Sequence, residues 1–319
     1  MSNKCPRLKG GAYEPATPRA RRTALVGLAA WVLALFAVPL ADAQANGRQL
    51  LHAERSLYRE VLVYETDGVR CMCFTRNCRT GRQTCMEMRR PERIVMNYPR
   101  MMLGALYVHP EPRRILIVGL GGGTLPRVLE QLLPEARIDV VEIDPAVIRV
   151  AKSHFGFAES ERVRVAAMDG RVFVKRAQRD GRRYDMVMLD AFDHEYIPEH
   201  LLTRDFLAEV RAVMTPDGVL VANTFSSSRL YDHESVTYAA VFDRFFNLKR
   251  ENRVIIAPLG TLPSRAELAQ ASERFAAAFR TYGIDARELL RLFSTRRDWD
   301  ERARVLTDQY SPANLLNRR

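Results

Sequence analysis

"ILIVGLGGGTLPRVL", residues 115–129, reads as an apolar run, a cluster of glycines and the beginning of a helix. The run before Gly119 lacks polar alternation, the pattern of a strand covered on both faces. Gly119, Gly121, Gly122 and Gly123 let the backbone turn sharply and approach a ligand closely. Several ligand classes use such a turn, and the spacing chooses among them. Thr124 stands where a dinucleotide fingerprint needs its last Gly or Ala, and no Lys follows as a P-loop requires. The remaining template is the G-x-G-x-G turn of adenosylmethionine-type enzymes, matched by Gly119, Gly121 and Gly123.

Working outward, strand-like runs recur at 114–119, 137–143, 162–167, 184–190 and 217–225. Helix-like segments separate them near 124–133, 145–155, 170–178, 203–214 and 233–245. This alternation predicts an α/β fold, a Rossmann-like, methyltransferase-type, mostly parallel sheet. From about 56 to 88 the pattern is instead that of a small antiparallel β region, with a turn at Thr66-Asp67-Gly68. Residues 44–60 read as a linker and lead-in. Residues 94–110 read as a connecting helix with Pro99 in its first turn, and the segment after 264 as a helical tail.

Ligands of doubly wound sheets bind at the carboxyl ends of the strands. Strand two ends "VVEIDP", placing Glu142 nineteen residues beyond Gly123, where a carboxylate can accept both ribose hydroxyl protons. Strand three ends "AAMDGR", so Asp169 and Gly170 are candidates for the base, Asp169 accepting from an adenine amino group. Strand four ends "MVMLDAFDHEYIP", which brings Asp190 to the glycine turn with Asp193 three residues on. Two carboxylates there suit a cationic substrate: they can hold an alkylammonium group and take its proton before it attacks.

The 319 residues, 47% hydrophobic, can bury one large domain or one domain plus a small one. The net charge is +11, part of it from Lys4, Arg7, Lys9, Arg19, Arg21 and Arg22 at the amino end. No dense basic stretch is interleaved with aromatics, so a nucleic-acid partner is not expected. No metal site is expected either, because the C-x-C-x4-C-x6-C spacing is not that of a zinc ligand set.

With "VVEIDPAV", "MDG" and "DAFD" in this order, the chain resembles the spermidine synthase family of polyamine aminopropyltransferases over residues 55–250. "SLYREVLVYE" resembles the family's entry strand and "YPRMML" stands at its Tyr-His-Glu segment. The tail "LTDQYSPANLL" is similar to that of a bacterial spermidine-synthase-like subgroup. The resemblance implies a small β domain before a methyltransferase-like domain, often as homodimers, and no tightly bound cofactor. It implies transfer of an aminopropyl group from decarboxylated S-adenosylmethionine to an amine. Carried over by position, Glu142 holds the ribose, Asp169-Gly170 the adenine region, Asp190 accepts the proton, and Tyr98 and Asp193 bind substrate. The chain also departs from the family: Gly121 or Gly122 replaces an Asp, Arg59 a Gln, Pro99 a His and His194 a Pro. Three readings stay open: an aminopropyltransferase, an S-adenosylmethionine-dependent methyltransferase, and a catalytically silent nucleoside- or polyamine-binding protein. Small-molecule nucleoside and amine partners are expected in each.

"ARRTALVGLAAWVLALFAVPLADAQA" carries basic residues, an apolar run over 24–40 and an Ala41-Asp42-Ala43 site. That is the pattern of a secretory signal, with an uncleaved membrane anchor as the alternative. The expected organisation is a signal or anchor at 1–43, a small β region and connecting helix at 44–110, and the Rossmann-like domain with its tail at 111–319. Cys5 precedes the apolar run, while Cys71, Cys73, Cys78 and Cys85 follow it as an even set, as two disulfides would require. A hairpin turn within 76–82 would set Cys73 opposite Cys85, leaving Cys71 with Cys78. Fractionation of cells expressing a carboxy-terminally tagged chain tests the export reading. The expected product lies in the periplasmic or membrane fraction; a full-length soluble cytoplasmic product would overturn both versions.

Overall fold

The computed structural model describes residues 47–76, 78, 81–191, 198–224 and 229–316. The expected export segment lies outside the described residues. Among them no helix is long and apolar enough to cross a membrane.

Four antiparallel strands come first: β1 (Gln49–Arg55), β2 (Glu60–Thr66), β3 (Val69–Cys73) and β4 (Arg82–Glu87), paired in that order. The β2–β3 turn is the expected one, with Asp67 and Gly68 both at positive φ. A two-residue hairpin loop that matches strand twist requires this. β1 corrects the linker reading of 44–60. Its sequence, QLLHAER, does not alternate cleanly because it is an edge strand with much of its length exposed.

The cysteine pairing is also corrected. Cys71 is bonded to Cys85 and Cys73 to Cys78. The regular β3–β4 register sets Cys71 opposite Cys85, and a bulge between Met72 and Cys73 then sets Cys73 opposite Arg82. Cys73 is left beside the loop, within reach of Cys78.

A short helix α1 (Asn97–Met102), with Pro99 in its first turn, continues through a 3-10 turn at Leu103–Tyr107. The chain then alternates as the spacing predicts: β5 (Arg114–Val118), α2 (Thr124–Leu132), β6 (Arg137–Glu142), α3 (Pro145–His154), β7 (Val163–Ala167), α4 (Gly170–Arg179), β8 (Tyr184–Leu189), α5 (Arg204–Ala212), β9 (Met214–Thr224) and α6 (Leu230–Phe242). The sheet continues in two strands that the sequence reading did not assign, β10 (Phe246–Lys249) and β11 (Arg253–Pro258), with β11 antiparallel to β9 and β10 antiparallel to β11. The order across it is β10-β11-β9-β8-β5-β6-β7. Helices α7 (Arg265–Thr281), α8 (Ala286–Arg291) and α9 (Ala313–Leu316) make the tail.

The apolar strand runs feed two cores, one on each face. Ile115 and Ile117 of β5 join Met186 and Met188 in the core that also holds α2 and α7, whereas Leu116 and Val118 join Val187 and Leu189 beneath α4 and α5. The small sheet packs Val61, Val63, Met72 and Met86 against Val147, Val150 and Phe155 of the α3 region. Its position is fastened by Ser56, whose hydroxyl donates to Asp144 at 2.6 Å while Asp144 also caps α3.

The disulfide pairing can be read chemically. Cyanogen bromide cleaves after Met72 and trypsin after Arg76 and Arg82, which separates all four cysteines. Unreduced digests are expected to link the Cys71 and Cys85 peptides, and the Cys73 and Cys78 peptides, with no free thiol among the four. A peptide joining Cys73 to Cys85 would overturn the register.

Candidate active site

The carboxyl ends of β5, β6, β7 and β8 form one crevice, and the glycine turn forms its floor. At Gly119, with φ at 102°, a Cβ would sit 2.1 Å from the Asp190 carbonyl oxygen, so only glycine lets β5 and β8 end side by side. Gly121, also at positive φ, is different: a Cβ there would meet nothing within 4 Å, and the turn is open toward the crevice. Gly122 is pressed on Thr84 of β4 and on Phe155, and Gly123 on the Phe157 ring. The small sheet is thus one wall of the turn.

Glu142 ends β6. One of its oxygens accepts from the Leu120 N–H and the other from the Asp144 N–H, each at 3.0 Å. Burial pushes its carboxyl above the usual range, partly opposed by those two bonds and by the positive charge of Arg59. The Arg59 guanidinium lies over the Phe74 ring at 4.2 Å. This departure from the family pattern therefore acts on the candidate ribose acid.

Asp169 does structural work as well. One oxygen accepts from the Val172 N–H and caps α4, and the other pairs with His200 Nε2 at 2.8 Å. His200 holds the Asp169 carboxyl below its ordinary value. Gly170 is accounted for by packing, since a Cβ would meet Val118 at 2.5 Å.

Asp190 follows β8 directly and its N–H donates to the Val118 carbonyl. Its Oδ1 accepts from Asn223 Nδ2 at 2.9 Å. The Tyr98 hydroxyl shares its one proton between two acceptors, the Gln83 carbonyl at 3.0 Å and Asp190. Burial drives the Asp190 carboxyl up to about 7, with the Glu142 charge adding to the rise and the bonds from Asn223 and Tyr98 opposing it. Burial and the Asp190 charge in turn raise the Tyr98 hydroxyl well above its usual value. The result is a carboxyl poised to exchange a proton near neutrality.

The structure therefore brings together Gly119, Gly121, Gly123, Glu142, Asp169, Gly170, Asp190 and Tyr98. Asp193 lies outside the described residues. Sequence reasoning missed Asn223, His200 and the Gln83 carbonyl. Asn223 had a signal, a polar residue closing the apolar run "VLVAN". The Gln83 carbonyl had none, because main chain does the work. Among the described residues no group of three or more His, Cys, Asp or Glu side chains could hold a metal ion.

Residues 96–263 match the spermine/spermidine synthase domain, and this span includes every residue of the crevice just named except Arg59, Phe74, Gln83 and Thr84. The chain belongs to the spermine/spermidine synthase family. A polyamine aminopropyltransferase from Vibrio vulnificus is 45% identical over 291 residues, 89% of this chain and 97% of the relative. A probable spermidine synthase from Corynebacterium glutamicum shares the fold of this family member, with a TM-score of 0.60 at 16% identity over 80% of this chain and 98% of that one. Human methyltransferase-like protein 13, solved in complex with SAH, aligns at 25% identity and a TM-score of 0.52, over 69% of this chain and all of that one.

The buried acid has a consequence for stability. Between about pH 4 and pH 7 the folded chain keeps a proton on Asp190 that the unfolded chain has released. Stability from this group is present below that window and lost as pH rises through it. Asp190→Asn keeps the shape without the charge. It is expected to gain on the order of 2 kcal/mol over wild type above about pH 7.5, and roughly a third of that near pH 5. Thermal melts at the two pH values measure it; an equal difference at both would overturn the assignment.

Proposed function

We propose that the chain is a polyamine aminopropyltransferase, moving an aminopropyl group from decarboxylated S-adenosylmethionine to an amine acceptor. The observation that carries this reading is Asp190, a carboxyl poised near neutrality beside an open glycine turn. Its setting in a chain nearly coextensive with the Vibrio vulnificus aminopropyltransferase supports the choice of chemistry.

In this reading Glu142 accepts from the two ribose hydroxyls. Each of its oxygens has given one lone pair to a backbone N–H and keeps another. Asp169 and Gly170 stand at the base, and Tyr98 and Asp193 at the amine. A free alkylammonium is protonated near neutral pH and cannot attack. Asp190 takes one ammonium proton, and the freed nitrogen lone pair attacks the carbon beside sulfur to form the new C–N bond. The C–S bond breaks, its electron pair goes to sulfur, and the sulfonium leaves as the neutral thioether methylthioadenosine. General-base assistance of this kind is typically worth about 10²–10⁴-fold in rate.

A second reading, methyl transfer from S-adenosylmethionine, draws on the glycine-only turn and the likeness to methyltransferase-like protein 13. The export of the domain, by a cleaved signal or with a retained anchor, is our reading of the amino-terminal pattern. The two disulfides agree with an oxidising compartment. A homodimer is the assembly we infer from the family, measurable by sedimentation.

The test follows methylthioadenosine release from decarboxylated S-adenosylmethionine with putrescine, cadaverine and spermidine as acceptors. Wild type is expected to release it with at least one amine. Asp190→Asn should lose about 10²-fold or more in turnover with nucleoside binding intact. Glu142→Ala should instead weaken nucleoside binding by about 2 kcal/mol. Release with no amine, alongside adenosylhomocysteine formation from S-adenosylmethionine, would favour the second reading.

A further inference from the structure

Asp190 takes its bond from Asn223, and an asparagine amide can present either of two faces. Turned one way its N–H donates to the carboxyl; turned about its last torsion its oxygen faces the same group. The first arrangement favours the carboxylate and the second favours the protonated acid. Asn223 is buried near the end of β9 and cannot borrow water freely to settle its orientation. What faces its oxygen is the Nδ2 of Asn252, at 3.1 Å. Asn252 is in the three-residue turn joining β10 to β11. The Glu251 carboxylate of the same turn accepts from Asn97 Nδ2 at 2.9 Å, and Asn97 precedes Tyr98. One turn therefore holds the neighbours of both groups that touch Asp190.

We propose that Asn252 is a positioning residue for the transfer reaction: its amide N–H, donated to the Asn223 oxygen, keeps the Asn223 N–H aimed at Asp190. The inference rests on the reading of Asp190 as the base. In this pose Asn252 donates to the Asn223 oxygen and accepts nothing from it, and that bond holds the Asn223 oxygen away from Asp190. Among the described residues the titratable groups facing Asp190 from other elements are Tyr98 and Glu142. The charges beside Asn252 are engaged elsewhere: Arg253 with Glu234 and Thr224, Arg250 with Glu288, and Glu251 with Asn97.

The test compares pH profiles of kcat/KM for wild type, Asn252→Ala and Asn252→Asp, with Asp190→Asn as reference. Asn252→Asp replaces the donor by an acceptor and should draw the Asn223 N–H away from Asp190. The acid limb is expected to move up by roughly one pH unit and rejoin the wild-type plateau above about pH 9. Asn252→Ala should move it the same way by less, and KM for the nucleoside donor should hold in both. A purely structural role would lower the plateau without moving the limb, and that result overturns the proposal. A shift in the charged variant alone would make the effect Coulombic and overturn it too. If Asn252→Asp does not fold, the alanine variant decides by the same criterion. An inactive Asp190→Asn with unshifted Asn252 profiles removes only Asn252 from the account. An Asp190→Asn as active as wild type removes the base reading, and this inference with it.

Discussion

Backbone contact between two neighbouring strand ends governs the crevice. Gly119 and Asp190 leave β5 and β8 so closely that no side chain fits at 119. The Asp190 N–H is spent on the Val118 carbonyl and the Gly119 N–H on the Val141 carbonyl, which ties β6, β5 and β8 together at one edge. That tie leaves the carboxyl of Asp190 half-buried, with Asn223 and Tyr98 as its hydrogen-bonding partners. An acid so placed, with few donors, keeps its proton to near neutral pH, the property on which the proposed proton transfer rests.

The far side of the sheet is held by a different device. Arg253 begins β11 with its side chain out of solvent, paired with Glu234 of α6 and bonded to Thr224 and Ser235. The Tyr231 ring covers its guanidinium at 4.3 Å. Removing one member of such a pair strands the other charge in the interior, so the pair ties the β10–β11 hairpin to α6 strongly in one direction. The hairpin's turn then reaches the crevice from outside the parallel strands.

The parallel half of the fold was legible in the sequence because its strands are apolar on both faces and end in acids. Glu142, Asp169 and Asp190 were found by that rule alone. β10 and β11 were not, because Arg250-Glu251-Asn252 carries no Gly or Pro to mark a turn, and Arg253 reads as a surface charge until Glu234 is seen beside it. The cysteine pairing failed because the β3–β4 ladder sets Cys85 opposite Cys71 rather than Cys73, the next residue along on the same face, and spacing does not fix that register. Asp169 was found, but its capping of α4 and its bond to His200 depend on partners that spacing does not reveal. Arg59 showed as a departure from the family; its approach to Glu142 needed coordinates.

β4 belongs to two structures at once. By sequence and pairing it is a strand of the small sheet, covalently joined to β3 through Cys85. By contact it is part of the crevice: Thr84 lies under Gly122 and the Gln83 carbonyl receives the Tyr98 hydroxyl. The two architectural pieces are therefore not separable modules. A graft or truncation that kept the whole parallel sheet, with every acid of the crevice in place, would still lack a wall of its glycine turn and the carbonyl that faces the Tyr98 hydroxyl. Change in the small sheet is constrained from a distance, by a reaction whose side chains it does not supply.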